Sequence, residues 1–132
     1  MTVLVQPGFH HYQFRIQADQ HEWLADLDRT VGGQDTGPNP HHLLESALAV
    51  CTAQTLTMYA ERKQWPLQGV NVQVASETIE GKTQLQRRIE LIGALDAEQR
   101  AKLLQIADRC PIHRILTGPI AVQTELSSTP LP

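Results

Sequence analysis

At 132 residues the chain has the length of one domain, since about 100–200 residues per domain is usual, and it can bury a core without disulfide staples. Apolar residues make up 41% and charged residues 19%, which excludes extended disorder. Eleven Lys and Arg against 14 Asp and Glu leave a net charge of −3 with the six His neutral. The basic excess of a nucleic-acid or anionic-membrane binder is therefore missing. Met1 to Phe14 shows neither a basic start nor a long apolar run. The longest strictly apolar run, Ala47 to Cys51, falls far short of a bilayer span. The expected compartment is the cytoplasm, where cysteines are more often catalytic, redox or metal-linked than structural.

One domain is expected over residues 1–132, with Ser127 to Pro132 as a flexible Ser/Thr/Pro-rich tail. Apolar and polar residues alternate from Tyr12 to Gln17, which predicts a half-buried strand. A turn near Ala18-Asp19 leads to a second strand over His21 to Ala25. Val31 to Pro38 is a loop by composition. Asn39-Pro40 opens a helix: Asn is a preferred N-cap, and Pro suits the first helical position. Trp65-Pro66 ends it, giving roughly 25 residues and a length of ~37 Å. Its apolar residues go almost all the way round, and a helix of that kind is covered on all sides. One small sheet covers one side, so a second subunit is expected on the other.

After Pro66, Val70, Val72 and Val74 alternate with polar residues. Glu80-Gly81 marks a hairpin turn, and Leu85 to Ile92 the return strand, with Leu85, Ile89 and Leu91 on one face. Asp96 caps a second helix, with Gln99 in the capping-box position. Cys110-Pro111 starts a short helical turn that Gly118-Pro119 ends. Ile120, Val122 and Leu126 suggest a final strand. The order β-β-α-β-β-α-β predicts an α+β fold with antiparallel sheets and a long central helix.

Cys51 lies mid-way along the long helix, where the ordinary reading is a small core thiol. Cys110 stands at the start of a helical turn, where N–H groups favour a thiolate. The two lack Cys-x-x-Cys spacing, and the adjacent pairs His10-His11 and His41-His42 lack the spacing of a helical metal site. No metal or cofactor is called for. A buried mid-helix thiol is a poor nucleophile unless a cation stands against it. Arg29, in the loop leading into the helix, reads equally as a surface residue or as that cation; Arg15, on the polar face of its strand, is the fallback.

Gly32 to Pro40, followed by the Leu-rich helix and Cys51-Thr52, resembles the first motif of the OsmC/Ohr family. Met58 to Leu67 continues the likeness. Asp96 to Arg100 and Ile106 to Arg114 resemble the second motif, and the branch they resemble is that of the OsmC-like redox proteins. The resemblance covers about Trp23 to Leu126. It implies an OsmC-like fold, an intertwined homodimer with sites at the subunit interface, and cysteine-based reduction of organic hydroperoxides. By motif, Cys51 is the peroxidatic cysteine and Cys110 the resolving one, with a dithiol as reductant. Counting back from Asn39-Pro40 favours Arg29 as the family's catalytic Arg. The family usually places a carboxylate just after the Asn-Pro cap, where it orients that Arg; here His41 and His42 stand there. Glu45 lies ~120° round the helix from Cys51, and Asp28 or Asp35 is a substitute. A non-catalytic binder of apolar ligands and a redox sensor are the rival readings.

Overall fold

A computed structural model describes residues 1–132. Three short strands, β1 (Leu4–Pro7), β2 (Phe14–Ala18) and β3 (His21–Ala25), form an antiparallel sheet in that order. β2 and β3 match the two expected strands. β1 is additional: a four-residue edge strand ending in Pro, a residue tolerated at sheet edges because it has no N–H to offer. A 3-10 turn over Arg29–Val31 follows.

The loop to the long helix is stitched to the end of β3. Asp26, 2% exposed, accepts hydrogen bonds from the Thr36 hydroxyl and from the N–H groups of Thr36 and Leu27. Gln13, also buried, donates to the Thr36 hydroxyl oxygen at 2.9 Å. A Cβ at Gly33 would collide with the Leu27 carbonyl oxygen, so the close approach of loop to strand requires glycine there. The Thr36 hydroxyl and the backbone N–H groups outweigh the opposing effect of burial and hold the Asp26 carboxyl down to about 2, from an ordinary 3.8. A depressed carboxyl stabilises the fold fully above its unfolded value and loses that contribution as pH falls through its folded value. Asp26→Asn is therefore expected to flatten the fall in stability between pH 3.8 and about 2; urea midpoints measured across that window check it.

The long helix, α1 (Pro40–Lys63), begins where the sequence places it. The Asn39 side chain accepts from His42 N–H, Pro40 sits in the first turn, and Gln64 closes the helix in the left-handed conformation. Its buried residues are Leu48, Thr52, Leu56 and Ala60, every fourth position along one stripe. Leu44, Val50 and Met58 remain 43–54% exposed. The single chain thus covers one side of a helix whose composition asks for more.

β4 (Leu67–Ile79) and β5 (Lys82–Gly93) form a long antiparallel hairpin against which α1 packs. Glu80 and Gly81 make its two-residue turn, both at positive φ, as the twist of a tight hairpin demands. α2 (Ala97–Ala107) starts with the complete Asp96/Gln99 capping box. α3 (Pro111–Thr117) starts at Cys110. Leu56 of α1 packs with Leu95 and with Leu103, Ile106 and Ala107 of α2 to form the core. The three-stranded sheet makes only sparse contact with these elements.

The expected final strand is not formed. Residues 119–126 form no regular element and have no partner strand, and Ile120, Val122 and Leu126 are 59, 85 and 99% exposed. Their alternation suits a strand, but within this chain they pair with no edge of either sheet. No helix is long and apolar enough to cross a membrane.

Candidate functional site

The core contacts between α1 and α2 bring the two cysteines together. Cys51 lies on α1 at the border of its buried stripe and is partly exposed. Cys110, the residue that caps α3, is fully buried. Both are free thiols, and they lie near enough for each to shift the other's ionisation. The backbone N–H of His113 also donates to Cys110 Sγ, at 3.5 Å.

The pair is electrostatically asymmetric. Burial, followed by the neighbouring Cys110 sulfur, pushes the Cys51 thiol up. Burial also opposes ionisation of Cys110. There, however, the Cys51 S–H, the N–H groups of His113 and Ile112 and the Thr52 hydroxyl all favour the thiolate and together bring it down. Of the two thiols, Cys110 is therefore the more readily ionised.

One strand residue reaches both cysteine-bearing segments. On β5 the inward positions are Leu85, Arg87, Ile89 and Leu91, so Arg87 carries its charge into an otherwise apolar row. The Arg87 side chain is 12% exposed. Its Nη1 donates to Thr52 Oγ1 at 3.0 Å and to the Ala107 carbonyl at 3.3 Å. Its Nη2 donates to Asp108 Oδ1 at 2.9 Å and faces His113 Nδ1 at 3.3 Å. Because guanidinium can only donate, the neutral His113 ring carries its proton on Nε2. The sequence reading grouped Leu85, Ile89 and Leu91 and passed over Arg87. The signal available was a charge placed in the apolar register of an alternating strand.

Arg29 lies exposed on the 3-10 turn, and Arg15 lies on β2; neither makes a hydrogen bond or ion pair with Cys51 or Cys110 within the chain. His41 and His42 are exposed in the first turn of α1. Glu45 faces away from the cysteines and accepts from the Ser76 hydroxyl of β4. Asp28 supplies only its carbonyl, to the N–H groups of Val31 and Gly33. Asp35 is exposed, at positive φ.

A groove of about 220 Å³ is walled by Leu48, Leu85, Leu116, Thr83 and Thr117, with Arg87 and His113 at one side; neither cysteine lines it. A larger cavity of about 630 Å³ lies between Tyr59, Trp65 and α2. It is open, and neither a cysteine nor Arg87 nor any residue bonded to Arg87 lines it.

An α+β chain with a long helix against a hairpin and two facing cysteines defines a recognisable fold class. The family model for OsmC-like protein matches residues 33–125, and the chain belongs to that family. No curated protein sequence matches it. Among solved structures, an OsmC-like protein from Mycoplasma pneumoniae superposes with a TM-score of 0.74 at 18% identity, covering 89% of this chain and 86% of the other. An organic hydroperoxide resistance protein from Legionella pneumophila gives 0.65 at 17%, covering 89% and 88%. Another, from Bacillus subtilis, gives 0.61 at 21%, covering 89% and 90%. These likenesses establish the shared fold.

Proposed function

We propose that the protein is a thiol-dependent peroxidase that reduces organic hydroperoxides through a Cys51/Cys110 cycle. The observation that carries this reading is the meeting of the two free cysteines, one partly exposed and one buried, at a single site. The Cys51 thiolate attacks the O–O bond, releases an alcohol and becomes a sulfenic acid. Cys110 condenses with it to a disulfide, and a cytoplasmic dithiol restores both thiols by exchange. The groove by Arg87 and His113, with Leu48, Leu85 and Leu116 in its walls, offers room for the apolar body of a peroxide. The relatives from Legionella pneumophila and Bacillus subtilis, described as hydroperoxide resistance proteins, support the same chemistry.

The working form in this proposal is a homodimer. Only 12 of the 132 residues are buried in the single chain, too few for the core that its apolar content can form. Leu44, Ala47 and Met58, all exposed, lie within about 40° of Cys51 round the helix at 3.6 residues per turn. A second copy covering that face would enclose the partly exposed thiol.

Cys51 also needs a cation, because burial and the Cys110 sulfur both disfavour its charge. Arg29, exposed and without an ion-pair partner, takes that role in the proposal, brought to Cys51 across the dimer interface. Arg29→Ala is expected to slow Cys51 oxidation at neutral pH by roughly ten- to a thousandfold, the effect of removing a cation worth ~1–3 pH units. The same loss from Arg15→Ala, with Arg29→Ala silent, moves the role to Arg15. The overall reading is tested by steady-state consumption of cumene hydroperoxide with dithiothreitol. Turnover that needs both reagents supports it. A chain that consumes no peroxide, yet folds as a dimer, contradicts it.

A further inference from the structure

The Arg87 guanidinium is committed to the protein itself. Nη1 donates to Thr52 Oγ1 at 3.0 Å and to the Ala107 carbonyl at 3.3 Å. Nη2 donates to Asp108 Oδ1 at 2.9 Å and to His113 Nδ1 at 3.3 Å. That leaves one of the five N–H donors an arginine carries. The side chain is therefore poorly placed to bind a substrate anion and well placed to tie segments together.

The segments it ties are the two that carry the cysteines. Thr52 follows Cys51 on α1. Ala107 and Asp108 precede Cys110, and His113 follows it on α3, where its backbone N–H donates to Cys110 Sγ at 3.5 Å. One nitrogen from β5 thus lies within 3.3 Å of an atom beside Cys51 and of an atom three residues before Cys110. The corner between α2 and α3 needs such a tie. α3 has seven residues, none of them buried. Ile112, His113 and Leu116 are half-buried, so apolar packing beyond Cys110 itself anchors this segment weakly. β5 is the firmer base: 12 residues paired along their length with β4. None of the four bonds from Arg87 uses a sulfur, so none is consumed when the thiols change oxidation state.

We propose that Arg87 is a positioning residue for the redox pair: a clamp from β5 that holds the α2–α3 corner against α1 and so keeps Cys110 in reach of Cys51. This rests on the cycle proposed above and assigns the control of its second half. In that step the Cys110 thiolate attacks the Cys51 sulfenic sulfur. The S–S bond forms, the S–O bond breaks, and hydroxide leaves and takes up a proton as water. The Cys110 sulfur is oxidised and the sulfenic sulfur reduced, the oxidising equivalent having come from the organic hydroperoxide. Holding both segments in place raises the effective concentration of one sulfur at the other, and the clamp acts through that quantity.

The test reads it without peroxide. Each protein is equilibrated in mixtures of reduced and oxidised glutathione, quenched, and its intrachain disulfide counted by mass spectrometry. One cysteine attacks oxidised glutathione and releases one glutathione thiol; the other attacks the mixed disulfide and releases the second. Arg87→Met keeps the length of the stem and removes every donor. Asp108 is 66% exposed, and the Thr52 hydroxyl keeps its bond to the Leu48 carbonyl, so no buried charge is left unpaired and the fold should survive. The equilibrium constant for the Cys51–Cys110 disulfide is expected to fall about tenfold in Arg87→Met, a rise of ~30 mV in reduction potential. Asp108→Ala removes one exposed prong and should lower it about threefold. Arg87→Lys keeps the charge but loses the planar fork, and should fall nearly as far as Arg87→Met. Ile16→Val, buried in the three-stranded sheet, is the stability control: its unfolding midpoint drops while the disulfide constant holds.

Parent-like constants in Arg87→Met and Asp108→Ala overturn the clamp. So does full recovery in Arg87→Lys, which would make charge alone responsible, or an equal fall in Ile16→Val, which would make it general loosening. A parent that forms no intrachain disulfide overturns it as well. Should Arg87→Met not fold, Asp108→Ala and Arg87→Lys decide by the same criteria. If the constants shift as stated while the parent consumes no cumene hydroperoxide, the peroxidase cycle fails and the clamp stands.

Discussion

Cys51→Ser is expected to lower hydroperoxide turnover by roughly a thousandfold or more, because in the proposed cycle it removes the atom that forms the covalent intermediate. The serine hydroxyl fits the space, so the fold should survive: the side chain is at the border of the buried stripe of α1, not at its centre. Cys110→Ser should behave differently. The first oxidation at Cys51 proceeds, the sulfenic acid persists, and turnover falls to what an external thiol can resolve directly. The contrast matters because Cys110 is the more readily ionised of the two thiols. If Cys110 were also the first nucleophile, the sulfenic-acid probe would label Cys110 in Cys51→Ser and never label Cys51 in Cys110→Ser. The burial of Cys110 argues against that order, since a peroxide must reach the attacking sulfur. The measurement is probe labelling of the two single variants beside their steady-state rates.

The second large effect is on stability. Leu56→Ala should destabilise the chain by ~2–5 kcal/mol, the range for deleting a fully buried leucine side chain. That is a sizeable part of the ~5–15 kcal/mol that holds a typical domain. Leu56 is 0% exposed and packs against Leu95, Leu103, Ile106 and Ala107. The same contacts set α1 against α2, and Cys110 follows α2 as the cap of α3. Loss of Leu56 should therefore slow disulfide closure as well as lower the unfolding midpoint. Met58→Ala, on the exposed face, is the control and should leave the stability of the isolated chain almost unchanged. Equal destabilisation by the two changes in dilute protein would contradict this account of the core.

The elements that local chemistry dictates were readable in the sequence. Asn39-Pro40, Asp96 with Gln99, and Cys110-Pro111 each start a helix where their capping chemistry predicts, and Glu80-Gly81 makes the turn it suggests. Strand pairing was less legible. β1 is four residues long, with too little alternation to stand out. Ile120 to Leu126 has the alternation but lacks a partner within the chain. Alternation reports that a segment could be a strand, not which edge, if any, it joins.

The candidate site divides in the same way. Each cysteine was visible from its local setting, but their meeting depends on the α1–α2 core. Arg87 was hidden because attention goes to the apolar members of a strand face, and a charge among them reads as an interruption. Its partners, Thr52, Ala107, Asp108 and His113, come from three other stretches of chain. Local periodicity says nothing about such long-range convergence.

The central claim is that Cys51 and Cys110 act as one redox pair driven by an organic hydroperoxide. Its most direct test is mass spectrometry of the reduced protein after one equivalent of cumene hydroperoxide, with the alcohol quantified in the same sample. The account predicts one alcohol formed per chain, loss of both thiol hydrogens, and a Cys51–Cys110 disulfide within a single chain. Peroxide left unreduced with both thiols free, or oxidation that ends in disulfides between chains, would contradict it.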